Sequence, residues 1–348
     1  MLPAAVDALF FALNQQPALD PGGEVLFLRG RRSAGLERCH GRVTVEQTWR
    51  PLFNELQGLA VSFGNDLDPM GRPVHRPNSY SAVWVLPWRQ REQVLFDLAR
   101  GWEAVAPGGF LVASLPNDWG AVRFEKMLRS VVAEVGCLSK HHCRVFWARK
   151  SDEAPAALPA EWLAGGGLRK VGSTGFVSAP GLFGWDKIDR GSQLLTEHLP
   201  AILRGRVADV GAGWGYLSQS LLTRHPHLKV LSLFEADLVA LAAARANLAA
   251  LQSDCAVNYV WHDVMEGLPG GNFDVVIMNP PFHEGRVADP LLGHRFLGAG
   301  VAALRSGGQL WAVANQNLPY ERFLREALPD ARIVVQQDGF KVLTGTRP

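Results

Sequence analysis

The sequence predicts two tandem α/β domains, each with a mostly parallel, twisted sheet flanked by helices. The chain has 348 residues, more than twice the length of a typical domain of about 150 residues. Short apolar runs alternate with longer segments in which apolar residues recur at helical spacing, a pattern typical of parallel α/β sheets. A faint internal repeat also relates the two halves, which favours two domains of the same kind.

The repeat is clearest around two apolar runs that each end in proline. Residues 82–87 (AVWVLP) resemble residues 275–280 (VVIMNP) at an offset of 193, and the Gly-Gly pair that follows each run is offset by 199. Upstream, residues 60–63 can be aligned with residues 231–234 at an offset of 171. We therefore expect the two halves to share one topology.

The domain boundaries are predicted from composition. Residues 1–150 form the first domain, residues 151–168 form a linker rich in Ala, Pro and Gly, and residues 169–348 form the second domain. In the second domain the strands are predicted at residues 206–210, 230–234, 257–261, 274–278 and 309–314.

Composition excludes several classes of protein. The net charge is only +2, although arginines outnumber lysines by 28 to 7, a bias that fits either phosphate recognition or a GC-rich genome. The four cysteines form no CxxC pair, so neither a zinc ribbon nor a disulfide framework is indicated, and we expect no metal. Because no long uncharged apolar stretch occurs, we expect a cytoplasmic protein without a membrane segment.

The strongest local motif is VADVGAGWG, a predicted strand that enters a glycine-rich turn at Gly211, Gly213 and Gly215. A dinucleotide fingerprint needs its third glycine at Tyr216, which argues against NAD or FAD. S-adenosylmethionine has no phosphate, so the turn suits that cofactor, and Asp209 is predicted to face its ammonium group. A glycine-rich turn without any ligand is the alternative.

Two acidic residues follow the next two predicted strands. Glu235 can accept hydrogen bonds from both ribose hydroxyls, and Asp263 can accept from the adenine amine. Each could instead be a surface residue or a helix cap. Their order after consecutive strands favours cofactor binding.

The most specific motif is Asn279-Pro280-Pro281-Phe282, at the end of a predicted apolar strand. The Asn279 side-chain oxygen and the Pro280 carbonyl can accept both N–H groups of an aromatic amine and turn its lone pair towards a methyl donor. The prolines stiffen the loop, and Phe282 offers a face for stacking a planar base. We therefore predict these four residues as catalytic and count Asn279 among the cofactor-binding residues as well.

Together these motifs resemble the class I S-adenosylmethionine-dependent ribosomal RNA guanine-N2 methyltransferases of the RsmC and RlmG kind. The resemblance implies two tandem Rossmann-like methyltransferase domains, of which the first has lost its cofactor and serves folding and RNA contact. It also implies that residues 181–195 fold over the cofactor, with Asp189 and Ser192 binding it, although both could simply cap a helix beginning near Gly191. The matching segments are PGLF at 180–183, DRGSQLL at 189–195, NPPFHEG at 279–285, VAN at 313–315 and LPY at 318–320.

The first half lacks both motifs, since it has RGRRSAG at residues 29–35 and Leu86-Pro87-Trp88-Arg89 where the second half has its glycines and Asn279. The arginines at 29–32, together with Trp88, Arg89 and Arg91, are candidate RNA contacts or simply a solvated basic face.

The resemblance implies methyl transfer from S-adenosylmethionine to the exocyclic N2 amine of a guanine in ribosomal RNA. The segment 120–128 looks more like the RsmC branch, which favours 16S RNA in the small subunit. Alternative acceptors are a guanine N2 in 23S RNA, an adenine N6 or a protein glutamine amide. A non-enzymatic alternative is an RNA-binding ribosome assembly factor. We expect a monomer whose partner is ribosomal RNA or a ribosomal subunit.

Overall fold

The computed structural model describes residues 2–39, 41–153, 156–281, 283–284, 287–288 and 290–348. The chain divides into two units, Met1–Leu168 and Arg169–Pro348. The second unit begins at the residue where the sequence places the start of the second domain.

Unit 1 is built on a seven-stranded sheet of order β3-β2-β1-β4-β5-β7-β6. The first five strands are parallel, and β7 and β6 complete the sheet in antiparallel pairing. The strands are β1 (Val25–Leu28), β2 (Val43–Glu46), β3 (Ser62–Phe63), β4 (Tyr80–Val85), β5 (Val105–Pro116), β6 (Val135–Lys140) and β7 (Cys143–Arg149).

Helices cover both faces of this sheet and bury a hydrophobic core on each. The segment predicted as the linker belongs to unit 1 in the structure, because its Trp162 is only 4% exposed and packs into the core. The helices are α1 (Leu2–Gln15), α2 (Ala34–Glu37), α3 (Arg50–Glu55), α4 (Arg91–Ala104), α5 (Ala121–Arg129) and α6 (Ala160–Ala164), with 3-10 turns at Pro17–Leu19 and Asn117–Trp119.

Unit 2 begins with a short antiparallel pair and contains a seven-stranded sheet of order β12-β11-β10-β13-β16-β18-β17. Its strands are β8 (Arg169–Lys170), β9 (Val177–Ser178), β10 (Gly205–Val210), β11 (Leu228–Glu235), β12 (Ala256–Trp261), β13 (Phe273–Met278), β14 (His283–Glu284), β15 (Val287–Ala288), β16 (Leu304–Asn315), β17 (Arg332–Gln337) and β18 (Phe340–Thr346). The five strands predicted for this unit are all confirmed.

The helices of unit 2 are α7 (Arg190–His198), α8 (Tyr216–Arg224), α9 (Leu238–Leu248), α10 (Pro290–Ala303) and α11 (Tyr320–Ala327), with a 3-10 turn at Val264–Glu266. One core lies between the sheet and α7, α8 and α9, and a second lies on the opposite face against α10 and α11. The sheet is therefore buried on both faces, as its continuous apolar strands require.

The two large sheets have the same strand order, which confirms the repeat. The offsets of 193 and 199 are also confirmed, because Val85 and Met278 occupy equivalent register positions, as do Ala113 and Ala312. The third alignment is wrong: Ser62–Phe63 is the third strand of its sheet, whereas residues 231–234 lie in β11, the second. Four apolar residues fit any buried strand, so this short match could not identify which strand it was.

Candidate active site

The site is built where β10 and β13 end side by side. The two strands pair in parallel, with Val210 opposite Met278. The residues that follow, Gly211 and Asn279, therefore lie next to each other at the carboxyl edge of the sheet, where open α/β folds bind their ligands. This register brings the two motifs that the sequence singled out into one site.

The glycine-rich turn has a backbone that glycine adopts readily. Gly211, Gly213 and Gly215 have φ values of 72°, 54° and 86°. A Cβ on Gly215 would lie 3.0 Å from the Cβ of Ala244 on α9, so this glycine permits close helix packing. A Cβ on Gly213 would meet no described atom within 4 Å, which leaves that side of the turn open to a ligand.

Asp209 is fully buried beneath the turn. Its Oδ2 accepts a hydrogen bond from the Ser218 hydroxyl on α8 at 2.6 Å, whereas its Oδ1 has no hydrogen-bond partner among the described residues. Burial raises the pKa of Asp209 to about 7, and the hydrogen bonds from Ser218 only partly oppose this effect. A buried carboxylate oxygen without a partner is a good acceptor for a cationic ligand.

Glu235 ends β11 and is 8% exposed. It accepts hydrogen bonds from two backbone amides, Gly213 N at 2.7 Å and Asp237 N at 2.9 Å. Burial raises the pKa of Glu235 to about 7 despite these bonds. The carboxylate thus ties the glycine turn to the end of β11 and keeps lone pairs for further donors.

Asp263 follows β12, as expected. Its Oδ1 accepts a hydrogen bond from Met265 N at 2.9 Å and caps the 3-10 turn Val264–Glu266. The structure therefore gives Asp263 the capping role that the sequence left as its alternative, and its contact with an adenine amine stays a prediction.

Asn279 is half-buried, and its Nδ2 donates hydrogen bonds to Asp189 Oδ2 and Ser192 Oγ, both at 2.9 Å. Asp189 is the N-cap of α7 and accepts from Ser192 N at 2.8 Å. These two residues, predicted as cofactor ligands or caps, therefore contact the Asn279 amide. Pro280 is buried and Pro281 half-buried, while Phe282 lies outside the described residues.

Hydrogen bonds from two further side chains connect the glycine turn to neighbouring segments of unit 2. Trp214 Nε1 donates to the Phe183 carbonyl at 3.1 Å, which ties the turn to the segment before α7. Asn247 on α9 donates to the carbonyls of Trp214 and Val177 and accepts from Val177 N. Sequence reasoning missed Asn247 because nothing in its spacing marks a partner 70 residues away.

Unit 1 carries different residues at the equivalent positions. By strand register, Phe27 corresponds to Asp209, Arg29 to Gly211, Gln47 to Glu235 and Leu86 to Asn279. Arg29 even keeps a glycine-like φ of 55°. The backbone of the turn is thus retained where the groups that suit a cofactor are replaced.

The Arg29 side chain is 12% exposed and is not an available RNA contact, contrary to one of the sequence alternatives. Its guanidinium donates to Asp97 Oδ2 and Gln93 Oε1 at 2.6 Å each and lies over the Trp88 ring. The arginine is held inward because the buried Asp97 carboxylate needs a partner. Arg89 and Arg91 are exposed.

The residues present fit S-adenosylmethionine. The Asp209 oxygen without a partner, the open side of Gly213 and the buried Glu235 carboxylate surround one end of the glycine turn, and Asn279 lies beside it. No cluster of metal-ligating side chains occurs in the described ranges. Among the described helices, none combines the length and apolar character that crossing a membrane requires.

Comparison with known proteins agrees with this geometry. Residues 173–344 match the family model "Methyltransferase small domain". The chain is 34% identical to ribosomal RNA small subunit methyltransferase C of Pseudomonas paraeruginosa over 78% of this chain and 80% of that protein. It is 28% identical to the protein of the same name from Psychromonas ingrahamii, over 74% and 73% of the two chains.

A solved structure has the same fold. The T. thermophilus 16S rRNA N2 methyltransferase RsmC, in complex with AdoMet and guanosine, superposes with a TM-score of 0.77 at 24% identity. The match covers 99% of this chain and 93% of that one.

Fold and site together define a class I S-adenosylmethionine-dependent methyltransferase with two domains of the same topology. Within that class, the chain belongs to the ribosomal RNA small subunit methyltransferase C family of guanine-N2 methyltransferases.

Proposed function

We propose that the protein transfers a methyl group from S-adenosylmethionine to the exocyclic N2 amine of a guanine in 16S ribosomal RNA. The observation that carries this proposal is the pairing of Val210 with Met278, which sets the glycine turn and Asn279 side by side. Family membership supports the choice of ribosomal RNA as substrate.

Bound S-adenosylmethionine supplies a methyl group on a positively charged sulfur. The open backbone at Gly213 lets the ligand approach closely, and the Glu235 carboxylate accepts hydrogen bonds from the ribose hydroxyls. Asp209 Oδ1, which has no partner among the described residues, would accept a hydrogen bond from the methionine ammonium. Asp263 would accept one from the adenine amine.

Asn279 prepares the substrate amine. The lone pair of a guanine N2 is delocalised into the ring, which makes it a poor nucleophile. When Asn279 Oδ1 and the Pro280 carbonyl accept its two N–H groups, the nitrogen is turned so that the lone pair points at the methyl group. The same acceptors stabilise the positive charge that develops on the nitrogen and ease loss of the proton to solvent.

Unit 1 is proposed to be a cofactor-less copy that contacts RNA. Its exposed Arg89 and Arg91 and the prevalence of basic over acidic residues in its first 150 positions, 18 against 14, support this role. Phe282 is proposed to stack on the target base. A protein acting on ribosomal RNA works where ribosomal subunits are made, so we propose a cytoplasmic location, and we propose a monomeric state.

The proposal is tested by incubating the protein with methyl-labelled S-adenosylmethionine and either naked 16S RNA or isolated small subunits, followed by nucleoside analysis. We expect N2-methylguanosine from the unaltered protein and an at least ~100-fold lower rate from Asn279→Ala. Asn258→Ala, an exposed asparagine on β12 of the same unit, is the matched control and retains activity.

Other products would replace the proposal. Label in 23S RNA, in adenine N6 or in a protein glutamine would change the acceptor and leave the cofactor chemistry intact. Binding of RNA without any methyl transfer would instead favour the assembly-factor alternative.

A further inference from the structure

We propose that Asp189 and Ser192 are positioning residues that hold the Asn279 amide in the one orientation that offers its oxygen to the substrate amine. The inference rests on the proposed function and deepens it. It differs from the sequence expectation, in which both residues bind the cofactor or cap α7.

The geometry fixes which end of the amide faces α7. Asn279 Nδ2 lies 2.9 Å from Asp189 Oδ2 and 2.9 Å from Ser192 Oγ. An ionised carboxylate only accepts hydrogen bonds, so the end that meets it must be the NH2 group. Both hydrogens of that group have acceptors, and Oδ1 lies at the opposite end of the planar amide, turned away from Asp189 and Ser192.

The opposite orientation would be inactive and unfavourable. Rotating the amide by about half a turn would place Oδ1 against the Asp189 carboxylate, where two acceptors meet without a proton between them. It would also present Nδ2 to the substrate amine, where two donors would meet. The contacts to Asp189 and Ser192 therefore select the orientation in which Asn279 can accept.

The negative charge of Asp189 also acts through the amide. A hydrogen bond from Nδ2 to a carboxylate polarises the amide and increases the negative charge on Oδ1. The substrate nitrogen gains positive charge as the methyl group arrives, so a stronger acceptor stabilises the transition state more than the ground state.

The first turn of α7 is anchored, so it can hold Asn279 in place. Arg190 Nε donates to Asp338 Oδ2 at 2.8 Å, in the turn between β17 and β18. A Cβ on Gly191 would lie 2.9 Å from the Phe340 ring, which shows how closely α7 packs on β18. Because β18 and β13 belong to one sheet, the cap and Asn279 keep a fixed relation.

The decisive variant is Asp189→Ser. Serine is as good an N-cap as aspartate but is too short to reach Asn279, so the cap is kept while the contact is lost. We expect kcat for guanine-N2 methylation to fall about 30-fold. The KM for RNA and the dissociation constant of S-adenosylmethionine, measured by calorimetry, are expected to change less than about twofold. The substitution alters no contact that the proposal assigns to RNA binding or to cofactor binding.

Two further variants make the test specific. Asp189→Asn can still accept from both Ser192 N and Asn279 Nδ2, so we expect it to restore kcat to within about fivefold of the unaltered protein. The matched control is Asp330→Ser, which removes another carboxylate that accepts a backbone amide, Thr346 N at 2.7 Å. Thr346 pairs with Gln309, which in turn pairs with Val275, four residues before Asn279, so kcat is expected to be unchanged.

The inference is overturned if Asp189→Ser has the kcat of Asp330→Ser, or if it weakens cofactor binding as much as it lowers kcat. The second result would assign Asp189 to the cofactor. Failure of the proposed function itself would be seen separately, as absence of N2-methylguanosine with the unaltered protein. If Asp189→Ser melts at a much lower temperature than the unaltered protein, Asp189→Asn is compared with Ser192→Ala instead. A large loss of kcat is then expected only for Ser192→Ala.

Discussion

Glu235 and Asp209, the two carboxyl groups that we propose to bind S-adenosylmethionine, are both buried. Burial raises the pKa of each to about 7, above the usual range of carboxyl groups. The free protein therefore holds protons at these sites that the unfolded chain has already released. Its stability is expected to fall as the pH rises from about 4.5 to about 7, because the unfolded state binds fewer protons in that window.

Cofactor binding has the opposite pH dependence. S-adenosylmethionine favours the ionised carboxylates, so its affinity is expected to weaken at least about tenfold between pH 8 and pH 6. Calorimetric titration across this pH range measures the change in affinity. Binding near pH 7 is also expected to release protons, and repeating the titration in buffers of different ionisation enthalpy detects that release.

The Glu235→Gln variant is the control for this prediction. It removes one of the two titrating groups, so the affinity is expected to be lower at pH 8 and to vary less with pH. An affinity that is the same at pH 6 and pH 8 in the unaltered protein would contradict the assignment of these carboxylates to the cofactor.

Gly213 offers a second test at a single residue. In Gly213→Ala the new methyl group meets no described atom within 4 Å, so the folding cost is only the strain of a φ of 54°, about 1 kcal/mol. The methyl group occupies the open side of the turn, however, and the affinity for S-adenosylmethionine is expected to fall at least about tenfold.

Gly172→Ala is a matched control for that strain. Gly172 lies in the same unit, between β8 and β9, with a φ of 49° and equally open space around a Cβ. Denaturation is expected to give a similar loss of stability, and calorimetry an unchanged affinity. Equal losses of affinity in the two variants would mean that Gly213 acts only through folding.

At the scale of elements, the sequence predicts strands far better than contacts. The five strands of unit 2 and the repeat with unit 1 were predictable because buried parallel strands are short apolar runs between helical segments. The register of β10 against β13 follows from that topology, so the meeting of the glycine turn and Asn279 was predictable as well.

Contacts between distant side chains were not predictable. The partner of Asn279 is Asp189, 90 residues earlier, and a residue's own neighbours in the sequence carry no mark of such a contact. The inward position of Arg29 was unpredictable for the same reason, because it depends on a contact with a residue far away in the sequence. As sequence it belongs to a basic cluster with Arg31 and Arg32, and only the packing of α4 against β1 supplies the carboxylate that holds it.

The group that holds Arg29 is part of a buried ion network at the end of β1 and β2. Arg100, 6% exposed, donates to Glu46 Oε1 at 2.7 Å and to Asp97 Oδ1 at 2.7 Å, and His75 contacts the second Glu46 oxygen at 2.6 Å. The Arg100 guanidinium, opposed by the cost of burial, holds the pKa of Glu46 well below its usual range. Arg100 thus bridges two carboxylates that have almost no access to water, and Arg29 supplies Asp97 with a second positive partner.

Removal of this arginine is expected to destabilise unit 1. Arg100→Met leaves Glu46 and Asp97 without their shared partner and is expected to cost about 3 kcal/mol. Hydrogen exchange measured by mass spectrometry is expected to rise in unit 1 peptides. Arg149→Met, which breaks an ion pair with the exposed Asp152, is expected to cost less than about 1 kcal/mol. Equal effects of the two variants would contradict a structural role for the network.

The whole molecule contains two copies of one sheet, and this duplication raises the question of how many cofactors it binds. Unit 2 has Asp209, Gly211 and Glu235 at the strand ends, whereas unit 1 has Phe27, Arg29 and Gln47 in the same register. Gln47 still bonds the equivalent backbone, since its Oε1 accepts from Trp49 N and its Nε2 donates to the Gly30 carbonyl.

The replacements turn the equivalent of the cofactor site into core. Phe27 is fully buried in contact with the rings of Phe10 and Trp84, at centroid distances of 6.2 and 5.7 Å. It offers no acceptor for an ammonium group, and the Arg29 side chain begins where Gly211 leaves room. A cationic ligand would meet an aromatic cluster and a guanidinium there, so unit 1 is expected to bind no S-adenosylmethionine.

Calorimetric titration of the full chain is therefore expected to give one S-adenosylmethionine per chain. In Gly213→Ala the titration is still expected to show a single site, now of lower affinity, because unit 1 provides no second site. A stoichiometry of two, or a residual site of unaltered affinity in Gly213→Ala, would contradict the loss of binding in unit 1. A single site means that the duplicated half is kept for a reason other than the cofactor, and RNA contact through its basic surface is the role that its charge supports.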